Sequence, residues 1–173
     1  DIEVNGVTMG KGPGDDVLNT ALGADAFRKN TTGTRNTVVG RASMNKSETT
    51  SGNTAVGYDT MGKNIAGNNN VAVGNNSLTS ETGSNNVAVG MNSLQNNTGG
   101  NNVAVGRNAS VSNTGGNENV SVGSGSLFNS TGSNNTAIGY ISGNTLISGK
   151  NNTIIGNKAQ PSSPDVSNEV TIG

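Results

Sequence analysis

The sequence predicts an all-β protein, a parallel β-solenoid or β-roll built of 16–17-residue coils. A pentapeptide of asparagine, Thr or Val, a mostly small residue, an aliphatic residue and glycine recurs along almost the whole chain. Its glycines are Gly23, Gly40, Gly57, Gly74, Gly90, Gly106, Gly123, Gly139, Gly156 and Gly173. Such self-similarity is typical of stacked arrays in which each repeat contacts mainly its neighbours. A unit this short holds two brief strands and two turns, with no room for a helix pair.

The composition favours a stacked array over an ordinary globular domain. Of the 173 residues only 29% are hydrophobic and 2% aromatic, too few to fill a conventional core. Disorder is the alternative, but disordered chains usually combine low hydrophobicity with high net charge and no fixed period. Because the formal net charge here is -1 and the period is strict, we expect an ordered chain stabilised by stacking and by oligomerisation.

The repeats divide the chain into three parts. We expect residues 1–18 to cap the array, residues 19–160 to form the solenoid, and residues 161–173 to be an exit segment leading to a further C-terminal region outside this sequence. At about 4.8 Å per coil, the array would be a rod roughly 45 Å long. The chain starts without methionine and stops on a repeat glycine, which predicts a piece of a longer protein.

Each coil is expected to present two faces. In a strand, Val71 and Val73 point to one side and Ala72 to the other. We expect the valine side to fill the inside of the coil, and the column of small residues around Ala72 to face a symmetry axis where other chains approach. A second short strand is expected soon after each glycine, carrying one small and one large side chain, as in Ser77 and Leu78.

The asparagines that open the repeats are expected to stack as an amide ladder, because identical amides in register can bond along the stack. They are Asn19, Asn36, Asn53, Asn70, Asn86, Asn102, Asn119, Asn135, Asn152 and Asn168. A thin coil buries little surface, and every repeat must bury its apolar face on something. Three chains packed around an axis, a homotrimer, satisfy that requirement.

The repeats resemble two families of surface fibres. The Asn-Val-Ala-Val-Gly core resembles the head repeats of trimeric autotransporter adhesins (YadA-like heads), although the coils of that family are shorter. The longer coils separated by Asn-Thr-Gly turns are more similar to receptor-binding tail fibres of tailed bacteriophages. Residues 4–14 resemble the segment that introduces such repeats, and residues 167–173 resemble the lead-in to a self-cleaving chaperone that trimerises phage fibres.

The resemblance implies a segment of a virion tail fibre that attaches to a host-cell receptor, a surface glycan or lipopolysaccharide, by multivalent non-covalent binding. The implied partners are two further copies of the chain, other fibre segments, and the host glycan or an outer-membrane receptor. Three alternatives remain: a structural shaft or spacer, the head of an autotransporter adhesin on a bacterial surface, and an ice-binding solenoid. An ice-binding face needs a regular Thr array, whereas this column changes to valine from Val71 to Val120.

The residue types favour a protein that is not an enzyme and has no cofactor or metal. Without His or Cys, the usual nucleophile–base pairs are missing. Asp25 and Asp59 share a column two coils apart, a separation that an inverting glycosidase pair could use, but their small neighbours favour plain surface charge. Near-neutral charge argues against nucleic-acid binding. No apolar run is long enough for membrane insertion.

The strongest candidate for a binding surface is a column of lysines. Lys29, Lys46 and Lys63 each lie six residues past a repeat glycine, so they should stack on neighbouring coils, where like charges repel. We predict that they form a docking strip for an anionic glycan or a lipopolysaccharide phosphate. The alternative is that the lysines extend into solvent and nearby carboxylates offset their charge, namely Asp25, Glu48 and Asp59.

A second candidate is a pair of residues in the column directly after the glycines. Arg41 and Tyr58 occupy this column one coil apart, where an arginine can lie over an aromatic ring. Tyrosines on a flat β-surface can stack on sugar rings, so we predict that this pair takes part in glycan binding; simple packing is the alternative. Tyr140 shares the column further along. Irregular coils, including residues 143–147, favour a binding head over a monotonous spacer.

Overall fold

The computed structural model describes residues 1–14, 17–80 and 83–173, with the side chain of Thr8 also left undescribed. In these ranges twelve short strands form one continuous sheet, in the same order as along the chain. The predicted β-solenoid is confirmed. None of the described residues belongs to a helix that is long and apolar enough to cross a membrane.

The sheet begins with an antiparallel hairpin. Strand β1 (Ile2–Val4) pairs with β2 (Val7–Gly10), and β2 pairs antiparallel with β3 (Thr20–Gly23). The backbone N–H of Lys11 donates to the Asp1 carboxylate at 2.7 Å, which holds the hairpin's two ends together. The hairpin therefore covers the edge of the first repeat strand, whose backbone groups would otherwise be open to pairing with another chain.

All later strands pair in parallel, each with the strand one coil before it. They are β4 (Thr37–Val39), β5 (Thr54–Val56), β6 (Val71–Val73), β7 (Val87–Val89), β8 (Val103–Val105), β9 (Val120–Val122), β10 (Thr136–Ile138), β11 (Thr153–Ile155) and β12 (Val170–Ile172). The register places equivalent residues of successive repeats opposite one another, as Ala72 opposite Ala88. Residues that share a repeat position therefore form columns.

The inner and outer faces of the repeat strands are the reverse of those predicted. The central residue of each repeat strand is buried, and the residues that flank it are partly exposed, as Val122 at 36% and Ile138 at 41%. The prediction was wrong because the interior already holds the large side chains that follow each glycine, such as Leu78 and Leu94. Mostly small side chains pack beside them, with Val38 and Ile154 as the larger exceptions, so the alanine column lies inside and does not line a symmetry axis.

The predicted second strand is also wrong, because the small–large pairs form turns. The backbone of Leu78 is left-handed, with φ of 50°, and its N–H donates to the Ser93 carbonyl of the next coil at 3.0 Å. A strand would send Ser77 and Leu78 to opposite faces, whereas the turn buries both. Burying a leucine stabilises by about 1.5–3 kcal/mol, enough to offset a left-handed backbone that costs about 1–3 kcal/mol.

The asparagine ladder is confirmed from Asn19 to Asn152. Neighbouring amides bond each other at some steps, as Asn152 Nδ2 donates to Asn135 Oδ1 at 3.0 Å, and bonds from side chain to backbone run through all of it. Each side-chain oxygen accepts the backbone N–H one coil further on, as Asn53 Oδ1 accepts from Asn70 at 2.9 Å. The amide nitrogen of Asn53 donates to the carbonyl of Gly67 in the following turn at 3.1 Å. Because these groups are buried, each asparagine satisfies a strand and a turn at once.

The ladder ends on Glu169, and Asn168 does not belong to it. The N–H of Glu169 donates to Asn152 Oδ1 at 2.9 Å, whereas Asn168 Oδ1 accepts from Asn151 Nδ2 at 3.2 Å. The Glu169 carboxylate accepts from the Ser162 hydroxyl, from the Thr171 hydroxyl at 2.6 Å and from the Ser162 N–H at 2.9 Å. These hydrogen bonds, Ser162's hydroxyl first, lower the pKa of Glu169.

The core has two irregular coils. At the first, Ser110 replaces the usual large residue and Ser121 the usual alanine, and Ser110 Oγ donates to Ser121 Oγ at 2.9 Å. At the second, Gly143 stands in the large-residue column and Ile154 in the small one. A Cβ at Gly143 would lie 3.0 Å from Ile154 Cδ1 and 3.0 Å from Leu127 Cδ2, so the isoleucine fills the space that the glycine leaves.

Candidate receptor-binding surface

The lysines of the predicted docking strip lie exposed on three consecutive coils. We call Lys29, Lys46 and Lys63 the cationic strip. The register of β3, β4 and β5 places equivalent positions of these coils above one another, and the Lys63 N–H donates to the Thr79 carbonyl at 2.9 Å to continue the stacking. The strip therefore presents like charges along one line of the rod.

No carboxylate among the described residues forms an ion pair with the cationic strip. Asp25 contacts Arg28 instead, at 3.6 Å between Oδ1 and Nη1, and both side chains are about half exposed. Glu48 and Asp59, the other carboxylates expected to offset the lysines, form no ion pair within the described ranges. The strip's charges are therefore available to an anionic ligand, although water and salt screen them strongly at such a surface.

Arg41 and Tyr58 form the contact expected of neighbours in one column. The guanidinium carbon of Arg41 lies 5.7 Å from the centroid of the Tyr58 ring, and Tyr58 is 47% exposed. We call these two residues the stacked pair. One face of the tyrosine is therefore already covered by protein. No hydrogen bond or ion pair of the described residues joins the stacked pair to the cationic strip.

An open cleft of about 300 Å³ lies further along the rod, away from the predicted site residues. Its rims are Arg107 on one coil and Tyr140 two coils later, in the column of the stacked pair, and its floor is Ser124 and Gly125 on the coil between them. Phe128, which is partly buried, closes one side. The cleft exists because its floor coil carries two small residues where its neighbours carry large ones.

Hydrogen bonds between coils fix the cleft's rims and floor. Gly125 N–H donates to the Arg107 carbonyl at 2.9 Å, and Ile141 N–H donates to the Ser124 carbonyl at 2.9 Å. A Cβ on Gly125 would meet only Ile141 Cγ1, at 3.5 Å, so the floor has room above it. Because the three coils are joined in this way, the cleft is a feature of the rigid stack and needs no loop to form it.

Several polar side chains at the cleft have unused hydrogen-bonding capacity. Asn108 Oδ1 accepts from Asn92 Nδ2 at 3.1 Å, while Asn108 Nδ2 has no partner in the described part of the chain. The Arg107 guanidinium forms no ion pair with any described residue, and the side-chain amide of Asn144 makes no hydrogen bond there. In the sequence, the sign of the cleft is that Ser124 and Gly125 are smaller than the residues at the same repeat positions on the adjacent coils.

The outer face of the sheet carries an apolar ribbon. We give that name to the outward-facing residues that precede the repeat glycines, which are Leu22, Val39, Val56, Val73, Val89, Val105, Val122, Ile138, Ile155 and Ile172. Most of them are exposed, and each lies opposite the equivalent residue of the next coil. The ribbon thus runs the length of the repeat array, larger than the scattered apolar residues that soluble surfaces normally carry.

Comparisons of the chain with protein-family models, with curated proteins and with solved structures found no match.

Proposed function

We propose that this chain is a receptor-binding segment of a phage-type tail fibre, which attaches a virion to an anionic glycan of the host-cell surface. It binds without covalent chemistry and gains strength from several identical weak sites on one rigid rod. Its location in this proposal is the extracellular tail fibre, with two further copies of the chain and other fibre segments as structural partners.

The apolar ribbon is the observation that carries the proposal. A parallel solenoid with a straight, exposed aliphatic column on one face needs a partner along its whole length. Three copies that place their ribbons around a common axis bury all of them at once and leave the rest of each rod facing solvent. This arrangement yields a stiff fibre, and it replaces the alanine-lined axis expected from the sequence.

Substitutions on the ribbon test the assembly. The double variant V89E/V105E places two carboxylates on neighbouring coils of the ribbon, where burial would leave them unpaired. We expect light scattering to give a trimer for the unchanged chain and a monomer or an unfolded chain for this variant. The control N96E/N129E adds the same charge at exposed positions away from the ribbon and should stay trimeric. A stable monomeric unchanged chain would refute the fibre proposal.

The cationic strip supports glycan binding and can be tested in the same preparation. Three ammonium groups on adjacent coils attract a polyanion, and the attraction weakens with salt because the Debye length falls from about 10 Å at 0.1 M to about 3 Å at 1 M. We expect the trimer to bind whole bacterial cells and purified lipopolysaccharide. The variant K29S/K46S/K63S, which carries a residue type found in this column at Ser80 and Ser112, should bind less tightly. Equal binding would remove the strip from the site.

A spacer is the second candidate, and the regularity of the middle coils favours it. Strands β6, β7 and β8 have the same sequence, Val-Ala-Val, and their columns stack without interruption. A segment that only separates two other parts of a fibre needs no more than this. A trimer that binds neither cells nor glycan under any salt condition would support the spacer over the receptor-binding segment.

A further inference from the structure

We propose that the cleft between Arg107 and Tyr140 is a binding site for one acidic sugar residue, a pyranose ring that carries a carboxylate. The inference rests on the proposed function, since it names a glycan unit that this fibre would recognise. It assigns that recognition to residues outside the cationic strip and the stacked pair.

The size and position of the cleft suit a single ring. A volume of about 300 Å³ is at the lower end of the range of roughly 300–1,000 Å³ for small-molecule sites. The cleft is open to solvent, so a ring can enter while the rest of a polysaccharide continues along the surface of the rod. A ring held between two coils is also bounded on both sides by fixed backbone.

The aromatic side chains provide the apolar contact. Tyr140 is 51% exposed and Phe128 is partly buried, and both line the cleft. Flat aromatic rings bury apolar surface at little conformational cost, and one face of a pyranose is lined with C–H groups. These two residues are half of the four aromatic residues in the sequence, so their meeting at one cavity concentrates a scarce residue type.

The polar side chains provide direction and charge selection. Asn108 Nδ2, the Asn144 amide and the Ser124 hydroxyl can bond the hydroxyl groups of a sugar, and none is engaged by a described residue. Arg107 has five N–H donors in a planar fork that matches a carboxylate. With no described carboxylate pairing it, the guanidinium favours an acidic sugar over a neutral one.

The test uses residues that other coils already carry at the floor positions. Met91 stands in the column of Ser124, and Asn76, Asn92 and Asn108 stand in the column of Gly125 with the same left-handed backbone. The variant S124M/G125N should therefore fill the cleft and keep the fold. The control N75M places the same methionine in the same column on a coil outside the cleft.

Ligand-observed NMR and calorimetry on the full chain would be carried out with methyl β-glucuronide, methyl β-glucoside and adenosine monophosphate. We expect the glucuronide to bind in the millimolar range, S124M/G125N to abolish its binding, and N75M to leave it unchanged. Y140A should weaken it about three- to tenfold, the size of an aromatic contact. R107Q should reduce the preference for glucuronide over glucoside about threefold, as expected of an exposed ion pair.

Cell binding measured on the same samples separates the two proposals. If the unchanged protein binds bacterial cells but not glucuronide, or binds glucuronide equally well with the cleft filled, the cleft inference is overturned and the fibre proposal survives. Binding of adenosine monophosphate in preference to the sugar would also overturn it. If glucuronide binds in the cleft but the trimer ignores cells and lipopolysaccharide, the cleft stands and the host-receptor proposal fails.

Discussion

The stacked pair and the cleft use the same two residue types in the same column of the solenoid. Arg41 and Tyr58 lie on adjacent coils, so the guanidinium packs 5.7 Å from the ring centroid. Arg107 and Tyr140 lie two coils apart with Ser124 between them, and they border a cleft of about 300 Å³. One interposed coil decides whether the arginine and the tyrosine bind each other or remain open to a ligand.

The difference shows how a solenoid can acquire a site without changing its backbone. Both regions keep the same parallel register and the same hydrogen bonds from coil to coil, as in Asp59 N–H to Arg41 carbonyl and Gly125 N–H to Arg107 carbonyl. Only side-chain size along the column varies. Small residues on one coil between large residues on its neighbours create a depression whose walls are already rigid.

The core below the two regions differs as well, and this gives the largest predicted effect. Beside the stacked pair, Met44 and Met61 fill the interior opposite Val38 and Ala55, whereas next to the cleft Ile154 fills the space left by Gly143. We expect I154A to lower the free energy of unfolding by about 3 kcal/mol, because it leaves a cavity that no neighbour can fill. Urea denaturation at fixed protein concentration would measure it.

A leucine at position 143 should restore part of the stability that I154A removes. G143L alone would crowd Ile154 and cost about 1–3 kcal/mol. Combined with I154A, it gives the leucine-and-alanine pairing of other coils, so the double variant should be more stable than either single one. Simple additivity of the two losses would show that these side chains do not share one space in the core.

A substitution at the cleft floor should convert one region into the other. In S124Y a tyrosine would follow Arg107 one coil later, the spacing of the stacked pair. We expect the new contact to raise the free energy of unfolding by about 0.5–1 kcal/mol and to eliminate binding of the acidic sugar. Thermal denaturation and NMR titration would report the two effects separately, and retained sugar binding would argue against Ser124 as the floor.

The period of the sequence was sufficient to predict the solenoid, its register and the columns, but not which face points inward. Alternation places Val71 and Val73 together and Ala72 apart whichever face is buried. The choice depends on how large residues from the turns, such as Leu78 and Leu94, fill the interior. The inward face is therefore set by how two columns pack against each other, and the sequence of a single strand does not show this.

Among the candidate sites, too, some features follow from the position of a residue in its column and others depend on several coils packed together. The contact of Arg41 with Tyr58 follows from column position alone and is confirmed, and the role of Lys29, Lys46 and Lys63 in binding stays a prediction. No motif in the sequence marks the cleft, because the residues that create it supply space and no distinctive chemical group. Ser124 and Gly125 contribute mainly by being small, and they form a depression only because larger residues flank them on the two adjacent coils.

The smallest predicted change in stability concerns the two arginines, of which Arg41 packs against a tyrosine of the chain and Arg107 does not. We expect R41Q to lower the free energy of unfolding by about 0.5 kcal/mol, because it removes an exposed cation–π contact, and R107Q to leave it unchanged. A double-mutant cycle with Y58L for the first arginine and Y140L for the second isolates each coupling energy. Since both arginines are exposed at the same turn position of the repeat, differences in solvation or in local backbone position cannot account for a difference between them. A favourable coupling energy between Arg107 and Tyr140 as large as that between Arg41 and Tyr58 would mean that Arg107 reaches across the cleft to Tyr140. That contact would close the proposed sugar site.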